Sequence, residues 1–196
     1  IRGINSVVEI GDYDNIVQDS LKYKNSDLVI VFWEICNLIN GLHYKIESFN
    51  DEQFDQLLEK TKSEISLVLN NLNKTKLVLF NKFTSECFSN YNIEESRLEL
   101  LTDSLNEYLN NFSSKNIKLI NIEKSIINLG IDYSIDLRYY SSSKALYTVN
   151  LLKNYSLMIL PFIISASGKA KKALILDCDN TLWKGVIGED GMDNIE

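Results

Sequence analysis

Residues 173–183 constrain this chain more than any other stretch. They read Ala-Leu-Ile-Leu-Asp-Cys-Asp-Asn-Thr-Leu-Trp, an apolar run that ends in two carboxylates spaced i, i+2. A continuous apolar run closed by turn-type residues predicts a strand buried on both faces of a parallel sheet. Alternation along a strand puts Asp177 and Asp179 on one face and Cys178 on the other. Such sheets carry their chemistry at the carboxyl ends of their strands. Two carboxylates held together repel unless a cation or a shared proton intervenes. Mg²⁺, a hard ion that takes oxygen ligands and keeps several waters, suits them. The competing reading is a strand-end turn, because Asp and Asn also favour turns and helix caps.

Composition excludes several classes. The chain has 196 residues, 45% of them hydrophobic and 24% charged, which is ordinary for a soluble globular protein. A net charge of -7 argues against a nucleic-acid partner, which wants a basic surface. Cys36, Cys87 and Cys178 are few and far apart, as expected of reduced thiols in a cytoplasmic protein. His43 is the single histidine, so no histidine metal cluster fits inside the chain. The most apolar stretch, 157–166, is broken by Pro161 and reads as too short to span a bilayer, so no membrane partner is expected.

Strand and helix patterns alternate along the chain. Strands are expected at 7–10, 27–33 (central), 76–81 and 117–122. Helices are expected from Asp14 to Lys22, from Asn50 or Asp51 to Leu72, and up to Phe112 behind a capping box at Asn92–Glu95. Further helices are expected at 123–129, stopped by Gly130, and from Lys144 to about Leu160. Residues 34–49 and 132–143 read as irregular. This order predicts an α/β fold with a parallel sheet and right-handed crossovers. The small polar run 165–170 marks a boundary, giving one domain over 1–165 and the start of a second over 166–196.

The motif around Asp177 resembles the first signature of the haloacid dehalogenase (HAD) superfamily. With Lys172 before it and Trp183-Lys184-Gly185-Val186-Ile187-Gly188-Glu189-Asp190-Gly191 behind it, the stretch is similar to the FkbH-like branch, subfamily IIIC. The resemblance implies that Asp177 is the nucleophile that forms an aspartyl-phosphate and that Asp179 is the general acid/base. It implies Mg²⁺ held by the Asp177 carboxylate and the Asp179 carbonyl, and a flap with Thr181, Trp183, Lys184 and Gly185 near substrate. It further implies a phosphorylated small-molecule substrate, an acyl carrier protein as partner, and glyceryl transfer as one reaction. The chain starts without Met and stops soon after the motif, so it is expected to be truncated and, alone, inactive.

FkbH-like proteins carry an SGNH-hydrolase-like domain ahead of the HAD part. The implied fold for 1–165 is therefore a three-layer, flavodoxin-like parallel sheet, with the first strand of a Rossmann-like HAD domain after it. A first, inner strand upstream of Ile1 belongs to the same expectation. The SGNH catalytic pattern is missing: Gly11-Asp12-Tyr13 has Tyr where Ser is needed, and Asp136-Leu137-Arg138-Tyr139 has Tyr where His is needed. A tyrosine of ordinary pKa is a poor base at neutral pH. The alternative function for this part is a non-catalytic binding module for a carrier protein or a glycan. Asn37 loosely resembles the oxyanion-hole Asn. Glu34, at the end of an apolar strand, is a candidate substrate contact or an ordinary loop carboxylate. Arg138 with Tyr139 and Tyr140 is a candidate phosphate or sugar contact, with surface packing as the alternative. His43 reads as solvated.

Overall fold

The computed structural model describes residues 7–88, 96–112, 115–168 and Lys184. Among these residues three parallel strands form one sheet in the order β1-β2-β3, with β1 at Leu28–Val31, β2 at Leu77–Asn81 and β3 at Ile117–Ile120. Register runs Val29 to Val78 and Val78 to Ile117. The central strand is β2, whose Val78, Leu79, Phe80 and Asn81 are all buried. Among the described strands β1 pairs with β2 alone and its Ile30 is exposed, so the expected central place of 27–33 is not seen among the described residues. Val7, Val8 and Ile10, expected in a strand, stand exposed outside any strand. Alternation alone makes no strand without a partner for its backbone groups.

Helix α1 spans Ile16–Lys22 behind Asn15, whose side chain makes no cap hydrogen bond. The expected capping residue, Asp14, instead lies one position upstream in the left-handed region at φ 55. A short helix α2, Leu42–Lys45, sits between two 3₁₀ turns at Ile35–Asn37 and Ile46–Ser48. Residues 34–49 are thus mostly helical turns rather than an irregular loop. Gly41 enters α2 at φ +77, where a Cβ costs roughly 1–2 kcal/mol. A Cβ there also collides with the Tyr44 side chain, so Gly41→Ala should lower unfolding stability by at least about 1–2 kcal/mol in urea titration.

Helix α3, Asp51–Asn71, starts on a capping box in which Asn50 and Gln53 bond each other's backbone N–H groups. Its Leu57, Thr61, Ile65, Val68 and Leu69 form one buried stripe. Helix α4, Arg97–Asn111, repeats the pattern with Ser96 and Glu99. The capping box expected at 92–95 lies outside the described residues. Both helices are crossovers between parallel neighbours, which is why each needs an apolar stripe against the sheet.

Helix α5 is Glu123–Leu129, ended by Gly130 at φ +83 as expected. Two short helices, α6 at Ile131–Ser134 and α7 at Leu137–Ser143, occupy the stretch read as irregular. With four residues, α6 is too short to show a helical period. Helix α8 runs Val149–Ala166 from a Thr148 cap, five residues later than expected. Pro161 lies inside α8, and the helix continues past it to Ala166. With 18 residues, α8 as a whole is long and apolar enough to cross a membrane by length and composition, a test that core helices of soluble proteins also pass, and the stretch 157–166 is only its second half. In this fold it packs on α5 and α6 and buries Leu151, Tyr155 and Ile159 in the core.

Candidate functional site

The carboxyl ends of β1, β2 and β3 meet the turns that follow them, and asparagines organise this face. Beyond β1, the Trp33 N–H donates to Asn81 Oδ1 at 2.6 Å, and Asn81 Nδ2 donates to the Trp33 carbonyl at 3.0 Å. A side chain thus continues the β1–β2 ladder after the backbone pairing stops. Asn106 of α4 does the same for Phe83, accepting from its N–H and donating to its carbonyl, both at 3.0 Å. Asn121 accepts from the Glu123 N–H at 2.9 Å and so starts α5. Asn81→Ala would leave the buried Trp33 backbone groups unpartnered. It should cost about 2 kcal/mol in chemical unfolding, with Asn81→Asp no better because it loses the donor.

Glu34 is the second feature of this face. It is 7% exposed, and its Oε2 has no hydrogen-bond partner. Burial raises its carboxyl pKa from the ordinary 4.5 to about 7, partly offset by the backbone N–H groups of Cys36 and Asn37. Tyr13, Cys36, Cys87, Tyr140 and Tyr147 all lie within its electrostatic reach. Cys36 and Cys87 are buried free thiols, and burial pushes Cys87 up to about 12. Neither is poised as a thiolate nucleophile.

The remaining candidates separate. Asp136 caps α7 by accepting from the Arg138 N–H at 3.0 Å and pairs with the Arg138 guanidinium at 2.7 Å. Hydrogen bonding from Arg138 holds the Asp136 carboxyl at about 2. Tyr139 is exposed, whereas Tyr140 is buried and donates to the Cys36 carbonyl at 3.3 Å. Arg138, Tyr139 and Tyr140 therefore form no common site. His43 is half-buried rather than fully solvated: it stacks on Phe88 at 4.4 Å, edge-on to Tyr44 and Tyr140, with Nδ1 buried and unpartnered. Burial, with Lys144 nearby, lowers its pKa.

A scan against protein-family models finds no match, and a search of curated proteins finds none. Among solved structures the chain is similar to the N-terminal part of the protein BF1531 from Bacteroides fragilis, described as containing a phosphatase domain and complexed with Mg. The TM-score is 0.60 at 22% identity, over 94% of this chain and 51% of that one. The two share a fold. The chain spans about half the length of the structure it matches.

Asp177, Asp179, Thr181, Trp183 and Gly185 lie outside the described residues, and Lys184 is exposed. Among the described residues no group of three or more His, Cys, Asp or Glu could hold a metal ion. The carboxylate and carbonyl oxygens offered by Asp177 and Asp179 are the donor type that Mg²⁺ prefers. Sequence reasoning missed Asn81 and Asn106, whose only signal is a polar residue directly behind an apolar strand or inside an apolar stripe.

Proposed function

We propose that this chain belongs to a Mg²⁺-dependent HAD-type phosphohydrolase or phosphotransferase of the FkbH-like group. The Asp-x-Asp motif at 177–179 carries the reading, and the fold shared with a phosphatase-bearing structure supports it. In this reading residues 1–165 form an SGNH-like domain and 166–196 open the phosphatase domain. Asp177 attacks the phosphorus of a phosphorylated small molecule and becomes an aspartyl-phosphate. Asp179 protonates the leaving oxygen and then takes a proton from water or from the acceptor. Thr181, Trp183, Lys184 and Gly185 close over the substrate and exclude water. The Asp177 carboxylate and the Asp179 carbonyl would hold Mg²⁺, which screens carboxylate–phosphate repulsion. The setting is cytoplasmic, and an acyl carrier protein that accepts a glyceryl unit is the partner class implied.

The test uses the full-length protein that contains this chain. Phosphate release from a panel of phosphorylated three-carbon acids and sugar phosphates should require Mg²⁺, stop on chelation and return when Mg²⁺ is restored. Release that is indifferent to chelation sinks the proposal.

A second reading concerns the described residues. With Tyr13 and Tyr139 in place of the SGNH nucleophile and base, the α/β part serves as a binding module for a carrier protein or a glycan. Tyr139 is exposed and Asp136 is spent on its cap and on Arg138, so the Asp136–Tyr139 segment offers no general base.

A further inference from the structure

A groove of about 470 Å³ opens where β2 and β3 end, walled by one side of α4. Its volume falls in the range of small-molecule sites, and its place matches where parallel sheets bind ligands. Lys82, directly after β2, lines this groove together with Asp103, Ser104, Glu107 and Asn110 of α4 and Glu123 of α5. Asn106 and Asn121 hold the groove's shape, because their side chains are committed to the backbone of Phe83 and Glu123. Lys82 makes no ion pair among the described residues.

The chemistry of this lining selects a ligand class. Asp103, Glu107 and Glu123 against Lys82 leave the lining net negative, which disfavours a phosphate or an acidic carrier protein. A polyamine would have to sit against Lys82. A neutral hydroxyl-rich ligand satisfies both signs, since each hydroxyl donates to a carboxylate and accepts from Lys82, Ser104 or the Asn110 amide. Leu100, partly exposed on the same wall, offers apolar surface to the C–H face of a sugar ring.

We propose that this groove binds a neutral sugar through Lys82 and the Asp103–Glu107 side of α4. The inference deepens the binding-module reading, choosing glycan over carrier, and is independent of phosphoryl transfer.

The test is saturation-transfer NMR on the 196-residue chain with glucose, galactose, N-acetylglucosamine and maltose at millimolar concentration. Inorganic phosphate and spermidine serve as competitors. At least one sugar should bind, phosphate and spermidine should not displace it, and Lys82→Ala and Asp103→Ala should each weaken it about tenfold or more. Asp103 is exposed and Lys82 half-buried, so both variants should fold, which their thermal midpoints check. A sugar that binds undiminished in both variants, or that phosphate or spermidine displaces, overturns the groove assignment but leaves the module. Absence of binding by every sugar overturns the groove and the glycan reading together, whatever the phosphatase assay shows.

Discussion

Asp177→Asn should abolish phosphate release by the parent protein, with a fall of at least about 10³-fold, while Asp179→Asn should cost about 10²–10⁴-fold. The two differ because the roles proposed for them differ. An amide nitrogen cannot displace a leaving oxygen from phosphorus as a carboxylate does, so the first variant forms no covalent intermediate. The second keeps the nucleophile and loses proton transfer. It should therefore retain the ability to be labelled by substrate phosphate, with turnover of the label slowed. Acid-quenched protein analysed by mass spectrometry separates the cases: a phosphoryl adduct on Asp177 in the Asp179 variant, and none in the Asp177 variant. Equal release by wild type and Asp177→Asn would remove the nucleophile assignment. Equal labelling of both variants would move it to another residue.

The long elements were legible because their stripes are long enough to repeat. In α3, Leu57, Ile65, Val68 and Leu69 recur on one face, and Asn50 with Gln53 announces its start. At α4 the described start is the capping box of Ser96 and Glu99, and the pair expected at Asn92 and Glu95 lies outside the described residues. Helices α2 and α6 have four residues each, below the length at which a 3.6-residue period declares itself.

Residues 7–10 failed for the opposite reason. Their β-propensity is clear, but a strand is a relation between two segments, and composition does not say which neighbour is present. On the candidate site, position was legible and role was not. Glu34 stands where an apolar strand ends, which the sequence shows. That Tyr140 then reaches back to the Cys36 carbonyl, two residues from it, depends on segments more than a hundred residues apart.

Glu34→Gln should leave stability nearly unchanged near pH 4.5 and raise it progressively up to pH 7, by about 3 kcal/mol at and above neutrality. The sign follows from the direction of the shift. Burial raises the folded-state pKa from 4.5 to about 7, so the folded protein holds this proton more tightly than the unfolded chain. Between those two values the folded state binds more protons, and stability falls as pH rises through the window. Above it both states are ionised and the folded state bears the full cost of a buried charge with an unpartnered Oε2. Glutamine keeps the shape and carries no charge, so its curve lacks that descent.

His43 acts in the other direction, since burial lowers its pKa and makes the protein more stable as pH rises toward 6.5. The wild-type curve alone therefore mixes two opposed slopes, and the difference between wild type and Glu34→Gln isolates the carboxyl. Asp136, held at about 2, titrates below the window and does not enter. Urea unfolding at half-unit steps from pH 4.5 to 8 supplies both curves. Parallel curves would mean that the Glu34 carboxylate is compensated in solution, and a glutamine variant less stable at pH 8 would mean that its charge is needed where the structure shows it unpaired.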